Sequence, residues 1–184
     1  LAGQALVKAR RYLRKRAGVI PHACPALPSP GGGNSGGALQ SWRSDLTVSY
    51  KTPRWADESI RMEGMDWVAS LVRVEGLTFI FFVVYCTSGD PGGINDTKFR
   101  QILATKKGLG LPAIMVGDFN ATPTEIEQRG WIRMWGGHVL KPNVEFTCTS
   151  GSGRMIDFAL VSSHLRGAVR VSPYFGPWAP HIGL

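Results

Sequence analysis

Ile114-Met115-Val116-Gly117-Asp118-Phe119-Asn120 is an apolar run that ends in Gly-Asp-Phe-Asn. Residues 111–116 show no polar alternation, which is the pattern of a strand covered on both faces. Gly117 permits close backbone approach where that strand stops. Strand side chains repeat every two residues, so Asp118 and Asn120 are expected to point the same way. A carboxylate that can take a proton, beside an amide that can hold a phosphoryl oxygen, suits the hydrolysis of a phosphate ester. An Asp/Asn turn closing the strand is the other reading of the same residues.

The flanking pattern is strand, helix, strand. Upstream, Trp67–Val74 alternates, Gly76-Leu77 turns the chain, and 78–86 returns as the second arm of a hairpin. Asn95 or Asp96 is placed to cap a helix over 97–107, with Phe99, Ile102 and Leu103 on its inner face and Gly108 and Gly110 closing it. A helix is expected over 2–16, stopped by Gly18 and Pro21, and short strands over 38–42 and 46–50. Downstream, 124–134 reads as a short helix and loop, and 155–162 and 168–171 read as strands. The segment 25–37 is a Pro/Gly/Ser loop. Its Gly31, Gly33 and Gly36 satisfy G-x-G-x-x-G, but a strand rather than a helix follows, so the match is not a dinucleotide-binding turn.

The 184 residues suit one domain over 1–184 with a real core. No apolar run approaches the roughly 18 to 20 residues that cross a bilayer. A net charge of +8 favours a polyanionic partner, nucleic acid or an anionic membrane surface. Part of that excess lies on Lys8, Arg10, Arg11, Arg14, Lys15 and Arg16, the polar face of the first helix, which reads either as a solvated face or as a DNA contact. Cys24, Cys86 and Cys148 are odd in number and widely spaced, so reduced intracellular thiols are expected and no zinc pair is offered. His22, His138, His164 and His181 form no metal pair at helical spacing. The sequons at Asn95 and Asn120 are taken as accidental.

Three more pieces follow Gly117-Asp118-Phe119-Asn120 in order. They are Phe146-Thr147 before the small-residue loop 150–154, then Met155-Ile156-Asp157-Phe158-Ala159-Leu160-Val161-Ser162, then Pro180-His181. The ordered set resembles the endonuclease/exonuclease/phosphatase superfamily, most closely its apurinic-type endonuclease domains of non-LTR retrotransposons. The resemblance implies a four-layered α/β sandwich of two mostly antiparallel sheets flanked by helices. It implies catalytic roles for Asp118 (positioning or deprotonating water), Asn120 (holding the phosphate), His181 (contacting the scissile phosphate) and Asp157 (orienting that histidine). Tyr85 falls where the family often places a phosphate-contacting tyrosine; a plain strand-end aromatic is the alternative. The implied cofactor is Mg²⁺ or Mn²⁺ with Asp118 as a metal anchor, and the implied partner is DNA or other nucleic acid.

Two departures qualify these expectations. The family's early asparagine and its metal-binding glutamate would precede Leu1, so the domain is expected to be truncated at its N-terminus and incomplete at its C-terminus. The family's Ser-Asp-His triplet reads Ala179-Pro180-His181 here. With those carboxylates missing, metal affinity is expected to be poor. The functional expectation is a metal-dependent DNA endonuclease of impaired activity. A non-catalytic nucleic-acid-binding relic and a phosphatase acting on phospholipid or inositol phosphate are the alternatives. An intracellular, nuclear location is expected.

Overall fold

The computed structural model describes residues 3–24, 26–28, 34–50, 66–90, 93–176 and 180–184. In chain order the elements are α1 (Gly3–Arg16), β1 (Val19–Cys24), β2 (Leu27–Pro28), β3 (Asn34–Ser35), β4 (Ala38–Arg43), β5 (Thr47–Tyr50), β6 (Trp67–Val74), β7 (Leu77–Tyr85), α2 (Ile94–Leu109), β8 (Ala113–Asp118), α3 (Pro123–Gln128), α4 (Trp131–Trp135), β9 (Gly137–Leu140) and β10 (Asp157–Ser162). A six-stranded sheet has the order β5-β6-β7-β8-β10-β9, and β1 with β4 makes a second sheet. Every neighbouring pair is antiparallel except β7 and β8. That parallel pair needs a crossover, and α2 supplies it.

The large sheet buries both faces, which is why its central strands lack polar alternation. On one face Phe82, Val84, Met115, Phe158 and Leu160 pack under α2, α3 and α4 through Phe99, Ile126, Trp131 and Trp135. Phe99 and Trp131 stack 4.4 Å apart. On the other face Phe79, Phe81, Ile114, Val116, Ala159 and Val161 cluster together, and Trp42 of β4 meets Phe81 edge-on at 5.0 Å. Gln40 fastens the two sheets, its Nε2 donating to the carbonyls of Val68 (2.9 Å) and Phe81 (3.0 Å). With α1 packed on β1, the layers run helices, large sheet, small sheet, helix. The four-layered sandwich is therefore present, with two strands in the smaller sheet among the described residues.

The α1, hairpin and β8 expectations hold, and among the described residues of 25–37 the short β2–β3 pair is the regular structure; Gly31 and Gly33 lie outside the described residues. Other expectations do not survive. No strand forms at 168–171; Val169 and Val171 are half-buried against the cluster of Ile114, Ala159, Val161 and Leu165 without pairing to a neighbour. The capping assignment for α2 is also wrong: the helix starts at Ile94 behind Gly93 (φ 71°), with no side-chain cap. Tertiary contacts occupy both candidate residues. Asn95 exchanges two bonds with the Thr87 backbone, and Asp96 accepts from the Trp131 indole at 2.7 Å. The segment 124–134 forms two helices instead of one. Two strands had no expectation at all, β1 and β9. Pro21 is tolerated within β1 because, among the described residues, that strand pairs only with β4, leaving one side free of ladder bonds.

Candidate active site

The candidate site sits at one end of the large sheet. Tyr85, Asp118 and Asp157 are register partners in a row across β7, β8 and β10. Strand alternation puts them on the same face as Phe81, Val116 and Ala159, the face toward the small sheet. Gly117 makes the row close. Its φ is 152°, and a Cβ there would lie 1.9 Å from the Val84 carbonyl oxygen, so β7 can approach β8 only with no side chain between them.

Asp118 and Asn120 do come together, but by a turn and not by strand alternation. Asp118 is the last residue of β8, and Asn120 lies beyond it at φ 47°, a left-handed conformation that asparagine tolerates. The Asn120 N–H donates to Asp118 Oδ1 at 2.8 Å, and its side-chain amide donates to the Cys86 carbonyl at 2.7 Å. The turn and the carboxylate–amide pair, alternatives in the sequence, are one arrangement. Asp118 Oδ2 is left 3.9 Å from His181 Nε2. Beneath the turn, Phe119 stacks on Phe158 at 4.2 Å and ties β8 to β10.

The C-terminal segment returns His181 to this row. Ile182 N donates to the Thr147 carbonyl (2.7 Å), and Thr149 N to the Pro180 carbonyl (2.9 Å). The imidazole stands between two carboxylates, with Nδ1 3.0 Å from Asp157 Oδ2 and Nε2 3.9 Å from Asp118 Oδ2. Burial pushes the Asp118 carboxyl up to about 6, and the neighbouring Asp157 charge adds to the rise. The Asn120 N–H and His181 pull the other way. Asp157 is also raised, chiefly by burial, against hydrogen bonds from His181 and Thr147.

Asp118, Asp157 and His181 each offer a ligand atom, all within 4.8 Å of one another. Two partly buried carboxylates side by side, both raised chiefly by burial, are chemically suited to a divalent cation, which would favour the charged form of both. Asp157 is thus a second carboxylate beside Asp118, which the sequence reading had treated as the lone acidic anchor. Tyr85 occupies its place in the row, with the Lys98 ammonium 6.0 Å from the centre of its ring.

Two supporting features were not assigned roles from sequence. Thr147 is fully buried, and its Oγ1 accepts from the backbone N–H groups of Ile156 (3.0 Å) and Asp157 (2.8 Å), so it sets the start of β10. Lys98 is also fully buried. Its ammonium donates to Asp66 Oδ2 (2.8 Å), Thr87 Oγ1 (2.9 Å) and the Tyr85 carbonyl (3.0 Å). All three protons are used, and they hold the chain from Tyr85 to Thr87 that in turn anchors Asn120. The available signal was positional: Lys98 lies one turn before Ile102 on the inward face of α2.

No family model and no curated protein matches this sequence. Solved structures do match the fold. The endonuclease domain of TRAS1, a telomere-specific non-LTR retrotransposon, aligns with a TM-score of 0.63 at 14% identity, over 95% of this chain and 87% of that one. The human Nocturnin catalytic domain aligns at 0.58 and 17% identity, over 84% and 64%. An endonuclease/exonuclease/phosphatase family protein from Bacteroides thetaiotaomicron aligns at 0.55 and 18% identity, over 85% and 65%. The chain thus spans just under two thirds of the latter two. These likenesses, with the layer order and strand topology above, establish that the chain has the fold of the endonuclease/exonuclease/phosphatase superfamily.

Proposed function

We propose that this domain is a phosphodiester hydrolase of the DNA endonuclease type, with Asp118, Asn120, Asp157 and His181 as its catalytic residues and 1–184 acting as one domain. The observation that carries the reading is the convergence of Asp118 and His181 on one small space, with Asp157 behind the imidazole. Likeness to the TRAS1 endonuclease domain supports nucleic acid as the phosphodiester substrate.

In this reading Asp118 Oδ2 orients the attacking water and accepts its proton as the new P–O bond forms and the ester P–O bond breaks, the leaving oxygen departing with the bonding pair and taking a proton from solvent. His181, held by Asp157 through Nδ1, turns Nε2 toward Asp118 and donates to a non-bridging phosphoryl oxygen. The Asn120 amide and the Tyr85 hydroxyl flank the phosphate. Asp118 and Asp157 would hold a divalent cation, Mg²⁺ or Mn²⁺, which supplies charge stabilisation to the phosphoryl group. The positive charge of the chain draws in a polyanion.

Supercoiled plasmid with Mg²⁺ or Mn²⁺ tests the reading. The wild-type chain is expected to nick the plasmid, and Asp118→Ala is expected to lose nicking while remaining folded. A folded wild-type chain that binds DNA without nicking it would overturn hydrolysis in favour of a binding relic. Release of phosphate from inositol phosphates or phospholipid without nicking would favour the phosphatase alternative.

A further inference from the structure

We infer that α1 is a second nucleic-acid contact, separate from the candidate active site, which grips the phosphate backbone through Arg10, Arg11, Arg14 and Lys15. The inference names a surface for the partner class proposed above. Helix α1 (GQALVKARRYLRKR) has no acidic residue. Among the described residues none of its cations takes part in an ion pair; the ion pairs there are all made by residues of other elements. At about 100° per residue those four cations and Val7 fall on one continuous arc, and together they line a surface groove. Tyr12, 65% exposed, borders them with a ring able to pack on sugar or base. Cations with no acidic partner, set side by side along a groove, are the arrangement that releases condensed counterions from a nucleic-acid backbone.

The position of the helix makes this a separate site. Gly37, just before β4, donates its N–H to Asp66, which adjoins Tyr85 and the site row. From there β4 runs away to Arg43, paired with Val19 at the start of β1. The last turn of α1 leads into Val19. Arg14 and Lys15, in that turn, therefore lie about 17 Å along the strands from the site end, for five steps at roughly 3.3 Å, and Arg10 and Arg11 sit one turn further back along the helix.

An anionic membrane would attract the same charges, but it needs an apolar face free to insert. The apolar side of α1, with Ala9 and Leu13, is partly covered and directed at β1. Val7 and Tyr12 alone do not replace it, so the chemistry favours a phosphodiester backbone.

The test compares three chains by anisotropy of a labelled duplex of about 20 base pairs across a salt series. They are the wild type; Arg10→Gln with Arg11→Gln, Arg14→Gln and Lys15→Gln; and a charge-matched control carrying Lys107→Gln, Lys141→Gln, Arg166→Gln and Arg170→Gln, all at exposed positions. Gln preserves helix propensity, and circular dichroism checks that each chain is folded. The α1 variant is expected to lose at least tenfold in affinity at low salt. Its log K against log salt slope should shrink by roughly 2 to 4, near 0.9 per contact removed, and the control should change much less. Equal losses in the two variants, or no loss in the α1 variant, overturn the inference. Binding to phosphatidylserine vesicles that exceeds binding to the duplex also overturns it. Nicking by wild type and Asp118→Ala is scored separately, so a chain that never nicks but shows the α1-dependent slope sinks the hydrolase reading and leaves this one standing.

Discussion

Asp157 Oδ2 lies 3.0 Å from His181 Nδ1, and that contact points the other ring nitrogen at Asp118. A carboxylate behind an imidazole holds its tautomer and ring orientation. Both groups come from β-type backbone anchored on Thr147, so the pair is set by main-chain hydrogen bonds as well as by its own contact.

Asp157→Asn preserves shape but removes the acceptor charge. Nicking is expected to fall by about 10² to 10⁴, the usual worth of a positioned acid–base group, with little change in duplex affinity. Single-turnover nicking beside anisotropy checks the split. Equal loss in both would mean that Asp157 holds the fold and not the reaction.

The raised Asp118 carboxyl has a signed consequence for stability. Its folded value near 6 lies above an ordinary unfolded value near 3.9, so the folded chain keeps a proton that the unfolded chain has lost. The resulting stabilisation is complete below about pH 4 and is lost as pH rises through about 6. In EDTA, wild type should lose on the order of 2 to 3 kcal/mol relative to Asp118→Asn between pH 4 and pH 7. Urea unfolding of both chains at the two pH values measures this. Parallel pH dependence would refute the assignment. The nicking rate should rise through the same pH range as the base deprotonates.

Gly117→Ala should destabilise the chain by about 2 to 4 kcal/mol. The added methyl meets the Val84 carbonyl oxygen at 1.9 Å, and backbone cannot swing aside as a flexible side chain does. Urea denaturation gives the number; a loss below about 0.5 kcal/mol would show that β7 and β8 can part without cost.

Lys98→Met removes a buried cation and strands the Asp66 carboxylate, which should cost about 3 to 5 kcal/mol. Adding Asp66→Asn should restore part of that loss, since the uncompensated charge goes with it. Chemical unfolding of the two single variants and the double variant closes the cycle. Fully additive losses would argue against a coupled pair.

Short-range physics accounts for what the sequence alone determined. Apolar runs longer than a few residues marked β7, β8 and β10, because strands buried on both faces cannot alternate, whereas alternation marked β6. Glycines marked the ends: Gly110 closes α2 at φ 63°, and Gly117 sits where two backbones touch. The ordered pieces around Asp118, Asp157 and His181 pointed to the superfamily fold that the solid likenesses bear out. Where local preference met a stronger distant partner, the reading failed. Asn95 and Asp96 looked like caps but bond Thr87 and Trp131, and Val169 and Val171 are half-buried by packing instead of pairing. Only the tertiary structure could decide the rest. Register sets Tyr85, Asp118 and Asp157 in a row, a left-handed turn brings Asn120 back to Asp118, and the chain end returns His181 across 24 residues to Asp157. Such contacts depend on strand pairing and chain return between residues far apart in sequence, and no local periodicity encodes them.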